Sequence, residues 1–154
     1  MELLDILISE INMPITMKCL RILIVEDSPE RQTIMKNLFS HHAWILANTA
    51  ARANKLLSAF EFDLVSLDYD LAGRDKGDQV ARFLSKTKNI SSTVLIHSMN
   101  ASGAQKILEI LPDALYVPLS RITRDNTTFK KIKEELKKGT DINWNYVFKR
   151  DAGE

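Results

Sequence analysis

From Arg21 onward, apolar runs of strand length alternate with longer segments of helical period, and this alternation restricts the fold more than any other feature of the chain. Strands are expected over Arg21–Glu26, Trp44–Ala47, Asp63–Asp68, Thr93–His97 and Ala114–Val117. Helices are expected over Pro29–Phe39, Ala50–Phe60, Asp78–Lys86, Ser102–Leu111 and Thr127–Lys138. The strands are almost continuously hydrophobic, as parallel strands covered on both faces must be. Ser28 before Pro29 makes a cap and first-turn pair, and Asn100 or Ser102 can cap the fourth helix. The pattern fits an α/β architecture: a flavodoxin-like, doubly wound, five-stranded parallel sheet in the order 2-1-3-4-5 with helices on both faces. In such a sheet ligands bind beyond the carboxyl ends of the central strands.

This domain is expected to occupy residues 18–139. Residues 1–17 form an N-terminal extension in which Leu3, Leu7 and Ile11 share one helical face before Pro14. It reads either as a loose terminus or as a short amphipathic helix for docking or homodimerisation. Residues 140–154 form an aromatic tail in which Trp144, Tyr146 and Phe148 alternate at period two, as in a short strand or an extended docking segment.

Charge narrows the function. The 154 residues carry 21 Lys and Arg against 20 Asp and Glu, a net +1, which disfavours a nucleic-acid polyelectrolyte. The run Lys130–Lys138 has mixed signs and reads as the solvated side of the last helix. A single cysteine, Cys19, excludes an intramolecular disulfide and suits the reducing cytoplasm. The opening residues resemble neither a signal peptide nor a membrane span.

Two strand ends are acidic. Glu26-Asp27 closes Ile22-Leu23-Ile24-Val25, and Asp68 closes Leu64-Val65-Ser66-Leu67. The first and third strands flank the switch point of the expected sheet, so three carboxylates converge there. Clustered carboxylates repel and require a cation, protons or both. All-oxygen ligation favours a hard ion, and magnesium is expected. Asp27 alone has a plainer reading as a cap for the helix starting near Pro29.

The strings Arg21-Ile22-Leu23-Ile24-Val25-Glu26-Asp27-Ser28 and Asp63-Leu64-Val65-Ser66-Leu67-Asp68 resemble the receiver domain of two-component response regulators over roughly residues 18 to 138. The resemblance implies that Glu26, Asp27 and Asp68 hold Mg2+ and that Asp68 accepts a phosphoryl group from a histidine kinase or another phosphorelay protein. Ser98 then matches the hydroxyl residue that contacts this group. No DNA-binding unit is expected after the domain.

The receiver pattern has a lysine before a proline at the end of the fifth strand, where this chain has Val117-Pro118. The switch-aromatic position falls on Ala114, with Tyr116 displaced by two. Lys76, Arg74 and Arg121 are the cations expected to substitute for the lysine. The strings Leu67-Asp68-Tyr69-Asp70 and His97-Ser98-Met99-Asn100 resemble a divergent group, the cyclic-phosphate processing receiver domains. That resemblance implies an alternative, a cyclic-phosphate phosphoesterase in which His97 is a general acid or base and Asp70 and Asn100 join the site. For His97 the plainer reading is a strand residue that donates one hydrogen bond, and for Asp70 a loop residue capping the turn through Gly73. A third alternative is a degenerate receiver that binds a partner without being phosphorylated.

Overall fold

The computed structural model describes residues 17–150. Five strands, β1 (Arg21–Val25), β2 (Ala43–Ala47), β3 (Leu64–Leu67), β4 (Thr93–Ile96) and β5 (Leu115–Tyr116), form one sheet in the order β2-β1-β3-β4-β5. Every neighbouring pair is parallel, with Ile24 opposite Ser66 and Leu67 opposite Ile96. The crossovers are α1 (Pro29–Leu38), α2 (Ala50–Ala59), α3 (Gly77–Leu84) and α4 (Ala101–Ile110). After β5 come α5 (Leu119–Ile122), α6 (Asn126–Leu136) and α7 (Trp144–Phe148).

Strand alternation sorts the core into two layers. Ile22, Ile24, Leu64 and Leu95 face Met35 and Leu38 of α1 and Ile132 and Leu136 of α6. Leu23, Val25, Val65, Leu67 and Ile96 face Ala53 and Leu57 of α2, Val80 and Leu84 of α3, and Ile107 of α4. Local signals fall where the sequence places them. Ser28 caps α1 with Pro29 in its first turn, and Asn100 caps α4 through its side chain and the Gly103 N–H.

Three features depart from expectation. The fifth strand is shorter than Ala114–Val117, because Pro118 starts the turn of α5. A 3-10 helix at Lys88–Ser91 precedes β4. The tail is helical rather than extended: Trp144, Val147 and Phe148 share one side at helical spacing, and Val147 is fully buried. The Asn143 side chain caps this turn at 3.0 Å from the Tyr146 N–H, and the Trp144 and Phe148 rings stack 5.7 Å apart. The amphipathic reading of Leu3, Leu7 and Ile11 lies outside the described residues. Among those described, no helix is long and apolar enough to cross a membrane.

Candidate functional site

The carboxyl end of the sheet brings Glu26, Asp27 and Asp68 together, with one oxygen of each within 4.8 Å of the others. The sheet ladder continues past the strand ends and fixes their positions: the Glu26 N–H reaches the Ala47 carbonyl at 3.0 Å, and the Asp68 N–H reaches the Val25 carbonyl at 3.0 Å. Ser28, not Asp27, caps α1, its Oγ accepting from the Arg31 N–H at 3.5 Å. The Asp27 carboxylate lies instead in the cluster with Glu26 and Asp68, and the capping reading for it is set aside.

Glu26 continues the Ile22-Ile24 side of β1 and is fully buried. His97 continues β4 on the same layer, so its imidazole meets Glu26 behind the pocket, with Nε2 3.0 Å from Oε1. Its Nδ1 lies 2.8 Å from the Ser66 hydroxyl on β3. The hydrogen between His97 and Glu26 is assigned to Nε2 because the carboxylate can only accept. Burial alone would push the Glu26 carboxyl up, but bonds from His97, Arg31 and the Ser28 N–H outweigh it and hold the group at about 2.

Arg31 is not among the cations expected from sequence, yet among the described residues it is the arginine paired with all three carboxylates. Its Nε donates to Glu26 Oε1 at 2.9 Å, and its Nη2 lies 3.6 Å from Asp27 and 3.5 Å from Asp68. The spacing Asp27 to Arg31, one helical turn, is the signal that could have found it. The three substitutes named from sequence lie elsewhere. Lys76 donates to the carbonyls of Leu71 and Gly73 at 2.7 and 3.3 Å. Arg121 stacks on Phe148 at 3.8 Å, and Arg74 is exposed in the loop before α3.

Asp68 sits in a different electrostatic setting from Glu26. Burial, then the charge of Glu26, raises its carboxyl above the ordinary value, opposed by the neighbouring Ser98 hydroxyl and the Tyr69 N–H. The Tyr69 N–H holds Oδ1 at 2.8 Å, while Oδ2 faces Arg31. Gly77 opens α3 directly against this strand end, where a Cβ would run into the Asp68 carbonyl oxygen. The two ends of that loop are joined by the Gly77 N–H on the Tyr69 carbonyl at 2.8 Å.

The remaining named residues surround the rim. Ser98 is buried beside Asp68, and its Oγ accepts from the Asn100 N–H at 3.1 Å. Asn100 donates to Asp70 at 3.1 Å while its Oδ1 caps α4, so both ends of its amide have structural partners. Asp70 thus pairs with Asn100 rather than capping the turn through Gly73. Val117 is buried, with its N–H on the Ile96 carbonyl at 3.0 Å, and Tyr116 packs partly buried on the α2–α4 side of the sheet.

A parallel 2-1-3-4-5 sheet with an acidic pocket at the ends of its first and third strands is the architecture of a receiver domain. The family model of the cyclic-phosphate processing receiver domain matches residues 21–113, and the chain belongs to that family. Solved structures with the same fold include the response regulator TrrA of Thermotoga maritima, in complex with Mg(2+)-BeF. It is 24% identical over 77% of this chain and 96% of its own, with a TM-score of 0.58. The phosphorylated cyanobacterial phytochrome response regulator RcpA is 20% identical over 78% of this chain and 94% of its own, TM-score 0.59. The receiver domain of the sensor histidine kinase PA1611 of Pseudomonas aeruginosa, with magnesium coordinated in its active-site cleft, is 18% identical over 66% of this chain and 85% of its own, TM-score 0.53. No curated protein matches the chain.

Proposed function

We propose that this protein is a phosphoryl-accepting receiver of a phosphorelay, with Asp68 as the acceptor and a histidine kinase or related phosphorelay protein as its donor in the cytoplasm. The unit that performs this role spans residues 18–139, with Ile142, Trp144, Val147 and Phe148 packed against it. The convergence of Glu26, Asp27 and Asp68 within 4.8 Å carries the reading. The donor set suits a hard divalent ion: all oxygen, two of the three carboxylates buried, and one with its acidity weakened by burial and then by a neighbouring charge. Glu26, Asp27 and Asp68 would hold Mg2+, whose charge offsets that of the phosphoryl oxygens during transfer.

The chain's own residues supply position. Asp68 is held at the strand end by the Tyr69 N–H, with its other oxygen toward the pocket. Attack by an Asp68 oxygen on the donor phosphorus forms the O–P bond of an acyl phosphate, and the bond to the donor breaks with its electron pair leaving on the donor. Arg31 and Ser98 stand beside the carboxylate, where they can stabilise the added oxygens. The added dianion would bias the surface read by a partner.

Incubation of the protein with Mg2+ and a small phosphodonor should add one phosphoryl group by intact mass, absent in Asp68→Ala. No adduct on protein shown to bind Mg2+ would overturn the acceptor reading and favour the degenerate, partner-binding alternative.

The family match favours a second reading, opening of a cyclic phosphodiester at the same pocket with Asp70, His97 and Asn100 added. His97 is 1% exposed and touches Glu26 and Ser66, so in that reading it acts as a positioning residue through Glu26. Turnover of cyclic nucleotides by protein that takes up no phosphoryl group from a small phosphodonor would separate this activity from phosphoryl acceptance. No turnover across cyclic phosphates would remove it.

A further inference from the structure

The carboxylate pocket carries its own cation. Arg31 enters from the first turn of α1 with Nε on buried Glu26 at 2.9 Å, while Nη2 faces Asp27 at 3.6 Å and Asp68 at 3.5 Å. These are the same three carboxylates whose oxygens approach within 4.8 Å. The Tyr69 N–H holds Asp68 Oδ1, so a divalent ion bound through the other oxygen, Oδ2, takes one that Nη2 already faces at 3.5 Å, and two cations at one oxygen repel at short range. The grip of the guanidinium is uneven. Its inner nitrogen makes a short bond to a fully buried group, whereas its outer contacts are long and its side chain is 36% exposed. The outer nitrogen is therefore the part that can yield.

We infer that Arg31 is the resident counter-cation of the pocket, which a divalent ion must displace from Asp27 and Asp68 in order to bind. Metal loading in this receiver is an exchange of one cation for another. The exchange also accounts for how the pocket tolerates Val117 where receivers carry lysine: positive charge comes from α1 instead of from the end of β5. The inference rests on the reading that these carboxylates take a divalent ion.

The test is Mn2+ binding to the full chain, followed by electron paramagnetic resonance of the free ion with Mg2+ as competitor. Arg31→Gln removes the competing charge and should tighten Mn2+ binding by about tenfold or more. Arg31→Lys keeps the charge and should stay within about threefold of the parent. In the unaltered protein the Arg31 Nε–H signal in NMR spectra should move with Mg2+ at the midpoint of binding, a readout that needs no variant to fold. Adding Asp27→Asn to Arg31→Gln should abolish the gain. Equal affinities for the parent and Arg31→Gln, or an Nε–H signal indifferent to Mg2+, would overturn the exchange and leave metal binding standing. A gain that survives Asp27→Asn, or an equal gain in Arg31→Lys, would also overturn it. If neither parent nor Arg31→Gln binds Mn2+, the exchange and the metal-dependent reading fall together.

Discussion

Each end of the sheet sets an arginine against carboxylates, and the two arrangements differ in balance. At the amino end Arg21 clasps Asp63 through Nε at 3.2 Å and Nη2 at 3.1 Å, and its own backbone N–H adds a bond at 2.8 Å. One positive charge meets one negative charge, with side chains 59% and 33% exposed. At the carboxyl end a single arginine faces three carboxylates, one of them wholly buried. Cavity size does not mark the site, since a cleft of about 540 Å³ lies at the amino end against Lys18, Arg21, Asp63 and Lys88. Charge balance does. A matched, solvated pair asks for nothing further, whereas an under-neutralised cluster is poised to take a cation or give up a proton.

Truncation should expose this difference most strongly. Glu26→Ala leaves Arg31 and His97 without their shared buried partner and should cost about 4 kcal/mol in urea unfolding, whereas Asp63→Ala should cost less than about 1 kcal/mol. Equal losses would erase the contrast.

Backbone substitutions come next. Gly77→Ala drives a methyl group into the Asp68 carbonyl and should cost about 2 kcal/mol, with phosphoryl acceptance impaired beyond the stability loss. Gly139, at the amino end, has room for a Cβ but sits at φ +137°, so Gly139→Ala should cost only about 1 kcal/mol through backbone strain. Thermal unfolding of both variants checks the ranking.

pH sharpens the comparison further. As the proposed acceptor, Asp68 would have to be ionised to attack, and burial together with Glu26 raises its carboxyl, so the rate of phosphoryl acceptance should climb with pH through that elevated value. Glu26→Gln removes the second of these causes and should move the midpoint down, while Asp63→Asn should leave it in place. The last comparison concerns acid stability. Glu26 is depressed to about 2, so its contribution is complete above the ordinary carboxyl range and is lost as pH falls from about 4.5 toward 2. Asp63 is also lowered, chiefly by its bond to Arg21, and contributes less over the same direction of pH because it is solvated. Urea unfolding at successive pH values should therefore flatten more in Glu26→Gln than in Asp63→Asn.

The layered sheet and the acidic strand ends were legible because both follow from short-range periodicity: Ile22-Leu23-Ile24-Val25 must be a strand covered on two faces, and Glu26, Asp27 and Asp68 come at strand ends. The orientation of His97 was also within reach, since alternation from Leu95 turns it to the layer of Ile24 and Glu26. Arg31 is hard to read from sequence because the first turn of α1 looks solvent-facing, and its spacing of one helical turn from Asp27 is the short-range sign that places it at the pocket. The tail was misread for a similar reason. Trp144, Tyr146 and Phe148 alternate, but the burial of Val147 against the α1–α6 layer decides for a helical turn.

The chain Ser66–His97–Glu26 joins β3, β4 and β1 side to side beneath the pocket. Those are the three central strands of the sheet, so the rear wall of the site cannot open by fraying of a loop. The amide hydrogens of Asp68 and His97, held by the Val25 and Leu67 carbonyls, should therefore exchange with solvent only on global unfolding. The rim at Asp70 and Gly73, which lies outside the sheet, should exchange far sooner. This receiver thus couples a permanently closed rear wall to a front that can change partners, and a phosphoryl group arriving at Asp68 would meet both at once.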